Sequence, residues 1–286
     1  MRKEGAKWMS VSEKYRKDLE EICAHRYDLG GDLWTSEDKR ILKGSPFSLI
    51  ESVQYVLEIG MNPEDLLLME VADLLFSLWR EDGRFQVYPQ GALYPCQTIH
   101  VLNTLCRLGY AKDKRLQRTF QHLLEIQHED GGWRCKKFSY GHGPETEFSN
   151  PFPTLVALDA FRYTPWINDR QELDKAVEFL LCHWTTKLPL GPCHYGIGTL
   201  FSQVEYPFRT YTLFYYVYVL SYYDCAKGDP RFLDALSQLR SKTEDGQIVV
   251  ERAVPKLSKL SFCKKGEKSA LATMKYNEIL KNLKYL

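Results

Sequence analysis

Residues 124–133 read Leu124-Glu125-Ile126-Gln127-His128-Glu129-Asp130-Gly131-Gly132-Trp133. The segment leading into them, Lys114 to His128, places Leu116, Phe120, Leu123 and Leu124 three and four residues apart. That spacing predicts a helix with one apolar face. Asp-Gly reads as its stop, because glycine accepts the left-handed conformation common at helix ends. The triplet Glu-Asp-Gly occurs three times, at Glu81-Asp82-Gly83, Glu129-Asp130-Gly131 and Glu244-Asp245-Gly246. Two residues after each glycine stands an apolar side chain: Phe85, Trp133 or Ile248. The wide gap between the second and third copies predicts a degenerate one between them, at Leu190-Gly191.

Each glycine turn follows an amphipathic segment of helical spacing: Glu64 to Arg80, Lys114 to His128, Asp169 to Trp184 and Arg231 to Lys242. A second series is led by proline and is more apolar: Pro46 to Gly60, Pro95 to Gly109, Pro151 to Thr164 and Pro207 to Tyr223. Proline suits a first helical turn, where its missing N–H leaves nothing unpaired. The two series alternate with a period of roughly 50 residues, the signature of stacked helical hairpins. Ser12 to Arg26 reads as a leading outer helix and Glu267 to Leu283 as a last inner one. The pattern predicts an all-α chain and one domain over 1–286, with a leading outer helix and loop in 1–40 and hairpin repeats in 41–286. Helices apolar all round belong inside and amphipathic ones outside. The expected architecture is therefore an α/α toroid of about five to six hairpins in two layers.

The totals exclude several classes. A net charge of +1 gives no global attraction to nucleic acid. Met1 to Glu20 is charged throughout, so no secretory leader is expected, and the longest uncharged apolar stretch, Thr210 to Tyr223, is too short for a bilayer span of about 20 residues. The eight cysteines contain no Cys-x-x-Cys pair and read as free thiols of a cytoplasmic protein. From Lys256 onward eight lysines face two glutamates, which reads as a solvated face or as a peripheral contact with an anionic membrane.

The Gln127 to Trp133 segment resembles the QW repeat of squalene and other triterpene cyclases. It is also similar to the Gln-x-x-Asp-Gly-x-aromatic repeat of protein prenyltransferase β subunits. The match is full here and partial at Trp79 to Phe85 and Lys242 to Ile248. With the helix pairing it covers most of residues 40–285. The resemblance implies a barrel with a central aromatic cavity that accepts isoprenoid chains. The Asp-x-Asp-Asp acid of such cyclases is missing. The zinc pattern of prenyltransferases is also broken, because Tyr94 stands where an aspartate should precede Cys96. Phe208 and Arg209 occupy the place of the histidine. No metal and no cofactor are therefore expected.

Candidate residues follow from position. Glu51 and His100 fall five residues after Pro46 and Pro95, and Asp159 lies within the third proline-led helix. Polar groups on such apolar helices read as projecting into a cavity or as satisfied structural groups. Tyr211, Tyr215 and Tyr218 belong to the most aromatic inner helix and read as pocket wall or plain core. Arg209 is a candidate anchor for a diphosphate or carboxylate, or the partner of Glu205. His194, His142 and Glu147 stand in glycine-rich loops as candidate acid–base groups, and Cys135, His142, Cys193 and His194 are ligand types for zinc. Inner helices that all run one way gather their N-termini, with His100, Thr154, Glu205 and Arg209, at one weakly positive rim. The leading expectation is a protein that binds or converts a hydrophobic isoprenoid-type molecule such as a prenyl diphosphate. A carbohydrate-active enzyme pairing Glu145 or Glu147 with Asp159, and a non-catalytic scaffold, are the alternatives.

Overall fold

The computed structural model describes residues 11–283. It is built from helices: α1 (Arg16–Ala24), α2 (Leu49–Glu58), α3 (Leu66–Ser77), α4 (Pro95–Arg107), α5 (Lys114–Glu125), α6 (Pro151–Phe161), α7 (Gln171–Thr186), α8 (Thr199–Ser202), α9 (Leu213–Leu220), α10 (Asp224–Lys227), α11 (Pro230–Arg240) and α12 (Ala270–Leu283). Two two-residue strands, β1 (Thr243–Glu244) and β2 (Gln247–Ile248), pair antiparallel across the Asp245-Gly246 turn. The expected leading helix splits into a 3-10 turn, Glu13–Tyr15, and α1; the part of the 1–40 expectation before residue 11 lies outside the described residues.

Helices α2, α4, α6, α9 and α12 pack in succession, α2 on α4, α4 on α6, α6 on α9 and α9 on α12. Every residue of α9 is buried, and so is all of α6 except Phe152, as fits helices covered on all sides. The remaining long helices lie against this row: α1 on α2, α3 and α5 on α4, α7 on α6, α11 on α9. On α5 the core takes Leu116, Thr119, Phe120 and Leu123, one stripe of a helix whose other faces are polar.

Two expectations need correction. The Asp-Gly glycines do not end helices. α3 stops at Ser77 and α5 at Glu125, each several residues earlier. Gly83 and Gly131 instead sit in small hairpin-like turns at φ +88° and +92°, closed by Arg80 N–H to Arg84 O and His128 N–H to Gly132 O, both 2.9 Å. The glycines that do cap helices are Gly60 and Gly109, with Met61 N–H on Val56 O and Tyr110 N–H on Leu105 O. Pro46 and Pro207 also do not open helices; α2 begins at Leu49 after the cap Ser48 and α9 at Leu213 after Thr212, while Pro95 and Pro151 hold first-turn positions. Serine at the cap explains the first delay, since its side chain accepts from Glu51 N–H.

The repeated motif joins one hairpin to the next. A Cβ on Gly131 would stand 2.4 Å from Lys175 O of α7, and one on Gly83 would stand 2.8 Å from Arg118 O of α5. Glycine lets each turn lie directly on the following outer helix. Gln127 Nε2 donates to Gly131 O and, at 2.7 Å, to Glu172 O of α7. Trp133 is fully buried, donates its indole N–H to Leu123 O and stacks near Phe161. The residue after each turn donates its backbone N–H to a threonine early in an inner helix: Phe85 to Thr98, Trp133 to Thr154, Ile248 to Thr273. The expected degenerate copy is present in form, since Leu190 and Tyr195 bridge across Gly191.

Candidate functional site

A cavity of about 210 Å³ opens between the inner helices. Leu42, Ile50, Val53, Phe152, Val156 and Phe208 form its apolar wall. Its polar side is set by α4. Helical spacing puts His100, Asn103, Thr104 and Arg107 on one face of that helix, and all four line the cavity. Glu51, Gln54 and Arg209 complete the lining towards the loop before α9, and Tyr215 reaches in from α9 itself. Gln54 holds that loop in place by donating to Phe208 O at 2.8 Å, and the Phe208 ring stacks on Tyr215 at 4.8 Å between centroids.

Behind the polar side lies a buried ionic cluster. Asp159 is fully buried and accepts from Arg107 Nη2 (2.8 Å), Arg162 Nε (2.5 Å), Asn103 Nδ2 (2.9 Å) and Tyr215 OH (2.8 Å). Burial alone would raise its pKa, but the two guanidiniums and these donors hold the carboxyl well below the usual carboxylate range. The cluster ties α4, α6 and α9 together at the cavity floor. Asn103 Oδ1 and Arg107 Nε are buried there without a hydrogen-bond partner among the described residues.

His100 contacts Phe152 ring to ring, 5.6 Å between centroids. It is screened from bulk water while its edge faces the cavity, and this desolvation, helped by Lys137, pushes its pKa down to about 4. It is a neutral imidazole at pH 7, and neither ring nitrogen is hydrogen-bonded among the described residues.

The geometry gathers four of the expected residues, Glu51, His100, Arg209 and Tyr215, around one space. It leaves others elsewhere. Arg209 is held by Glu51 (2.6 Å) and Glu205 (3.2 Å), the second pairing being one the sequence offered. Its charge is thus already balanced. Glu205 is buried behind it and also accepts from Thr210. Tyr211 is core: it donates to His183 Nδ1, because His183 Nε2 must donate to Leu188 O. Tyr218 is buried and donates to Glu278. Thr154 is buried, bonded to Trp133 N–H and Asn150 O.

The loop residues do not reach the cavity. His194 stands on the Gly191 turn, 3.7 Å from Glu145, and Glu147 is exposed at 76% beside Arg134. Glu147 and the fully buried Asp159 therefore share no cleft. Among the described residues no group of three or more His, Cys, Asp or Glu side chains is arranged to hold a metal ion. The Cys193 thiol instead lies against the carbonyl oxygens of Cys135 and Phe138. In the lysine-rich tail, Lys259, Lys268 and Lys275 pair with Glu21, Asp245 and Glu58. No helix is long and apolar enough to cross a membrane among the described residues.

Asn103 and Arg107 escaped the sequence reading, which singled out His100 alone. The signal was present as polar residues at intervals of three and four along one face of a proline-led helix. Compared with protein-family models and with curated proteins, the chain matches none.

Proposed function

We propose that this chain is an α/α toroid of the prenyltransferase and squalene-cyclase kind, and that its central cavity binds a short hydrophobic molecule of isoprenoid type. Support for a closed ring comes from contacts between its first and last inner helices: Glu58 of α2 lies 3.6 Å from Lys275 of α12. Glu51 of α2 likewise reaches Arg209, just before α9. The observation that carries the ligand class is the cavity's apolar wall of Ile50, Val53, Phe152, Val156 and Phe208. Apolar surface left open to water in an interior is costly unless something covers it. About 210 Å³ is small beside the roughly 300–1,000 Å³ usual for drug-sized ligands. A chain of two or three isoprene units is the natural limit.

Calorimetric titration with isoprenoids of one to four units tests this. Saturable binding in the micromolar range is expected for two or three units, and Val156→Phe, which fills the cavity, should abolish it. Absence of saturable binding below 1 mM (roughly −4 kcal/mol) for every chain length would overturn the reading.

A further inference from the structure

Three cysteines that are distant in sequence meet in the fold. Cys96 stands in the first turn of α4, Cys135 in the stretch after Trp133, and Cys193 just beyond Gly191. The stretches carrying Cys135 and Cys193 lie against each other, since Tyr140 and Gly141 donate their N–H groups to Pro192 O at 3.0 and 3.1 Å. Asn150 Oδ1 fixes Cys135 by accepting its backbone N–H at 2.6 Å. Cys193 Sγ rests 3.5 Å from Cys135 O, and the two thiols are hydrogen-bonded to one another. The Cys135 sulfur is also approached by the Cys96 thiol and by the backbone N–H groups of Cys96 and Lys137. Each of these cysteines is a free thiol.

Donors gathered on one sulfur favour its thiolate. The Cys193 and Cys96 thiols beside it therefore hold Cys135 well below the usual thiol range. A thiol in contact with a thiolate shares its proton, and the pair titrates as a unit. When that proton sits on Cys135 the charge is on Cys193, which keeps 8% of its surface exposed against 1% for Cys135. A small oxidant thus meets the outer sulfur with the inner one already beside it.

We propose that Cys135 and Cys193 form a peroxide-sensitive thiol pair that closes to a disulfide. The Cys193 thiolate attacks one oxygen of hydrogen peroxide; the O–O bond breaks, hydroxide leaves, and Cys193 becomes a sulfenic acid. The Cys135 sulfur then attacks the Cys193 sulfur. The S–S bond forms as the S–O bond breaks, and the departing hydroxyl takes the Cys135 proton to leave as water. Both sulfurs are oxidised and the peroxide is reduced. The bridge lies one ring from the cavity, because Tyr195 packs on Phe152 at 5.6 Å and Phe152 lines the cavity wall. It holds whatever the cavity binds.

The test treats the full chain with a few equivalents of hydrogen peroxide, blocks the remaining thiols and maps the peptides by non-reducing mass spectrometry. A peptide linking Cys135 to Cys193, lighter by two hydrogens than its separate halves, is expected. It should form at least about tenfold faster than the exposed Cys182 and Cys225 are oxidised, and dithiothreitol should restore both thiols. Cys193→Ser should remove the link and Cys96→Ser should keep it. Should either variant fail to fold, the wild-type map decides alone. Cys135 and Cys193 still unlinked once Cys182 and Cys225 are oxidised, or Cys135 linked to a different cysteine, overturns the proposal.

Discussion

Gly131 shows how much one residue can settle. Its φ of +92° suits glycine, and a Cβ there would collide with Lys175 O at 2.4 Å. Gly246 shares the motif and a φ of +73°, yet nothing lies within 4 Å of its Cβ position. Gly246→Ala should therefore cost only the conformational penalty, about 1 kcal/mol. Gly131→Ala should cost clearly more, roughly 2–4 kcal/mol, because backbone must also move. Denaturant midpoints for the two variants check this, and equal losses would refute an interlocking role for the motif. Trp133→Ala should cost roughly 3–5 kcal/mol by the same measurement, as a buried large aromatic that also loses its bond to Leu123 O. At this scale the motif's burial was legible, since an Asp-Gly-x-aromatic run in a repeat has few other uses. Its geometry was not. Placing the glycine at the helix end or in the turn beyond it depends on the next outer helix, which no local pattern encodes.

On the scale of elements, α4 carries the site. Its polar stripe, His100, Asn103, Thr104 and Arg107, is readable as spacing, but the partner Asp159 lies on another helix and the pairing emerges only from packing. Asp159→Asn should cost roughly 3–5 kcal/mol, because Arg162 would be left buried with no counter-charge and Arg107 with only Glu58, at 3.9 Å. Circular dichroism melts of the variant measure it, and an unchanged melt would mean the cluster is dispensable. The two most strongly shifted of the desolvated histidines predict a pH dependence. His100 and His183 are both pushed down to about 4, against an ordinary value of 6.5. Between those values the unfolded chain binds more protons than the folded one, so stability rises with pH and is lost as pH falls from 6.5 towards 4. Each histidine contributes roughly 1–3 kcal/mol above pH 6.5. Asp159 titrates below this window and does not blur it. Unfolding free energy measured at pH 4.5, 5.5 and 6.5 should climb, with a shallower climb in His183→Gln. A flat profile would show that the histidines are hydrated in the folded protein.

For the molecule as a whole, the alternation of proline-led and amphipathic segments told α6 and α9, buried nearly all round, from α5 and α11, buried on one face, because the two kinds of burial leave different periodicities. What the inner row encloses was less accessible. Arg209 could be paired from the sequence only with nearby Glu205, because its other partner, Glu51, lies 158 residues away. Tyr211, Tyr215 and Tyr218 could be read as pocket wall or as plain core because the two have the same composition; of the three only Tyr215 lines the cavity described above. The polar floor, built by side chains of α4, α6 and α9, required the fold. The central claim is that the space between the inner helices is the ligand site. A photoactivatable diazirine analogue of geraniol, cross-linked to the protein and mapped by peptide mass spectrometry, tests it most directly. Label is predicted on peptides containing Ile50 to Val53, His100 to Asn103, Phe152 to Val156 or Phe208, and should be competed away by unlabelled geraniol; label confined to surface peptides, or insensitive to competition, would contradict it.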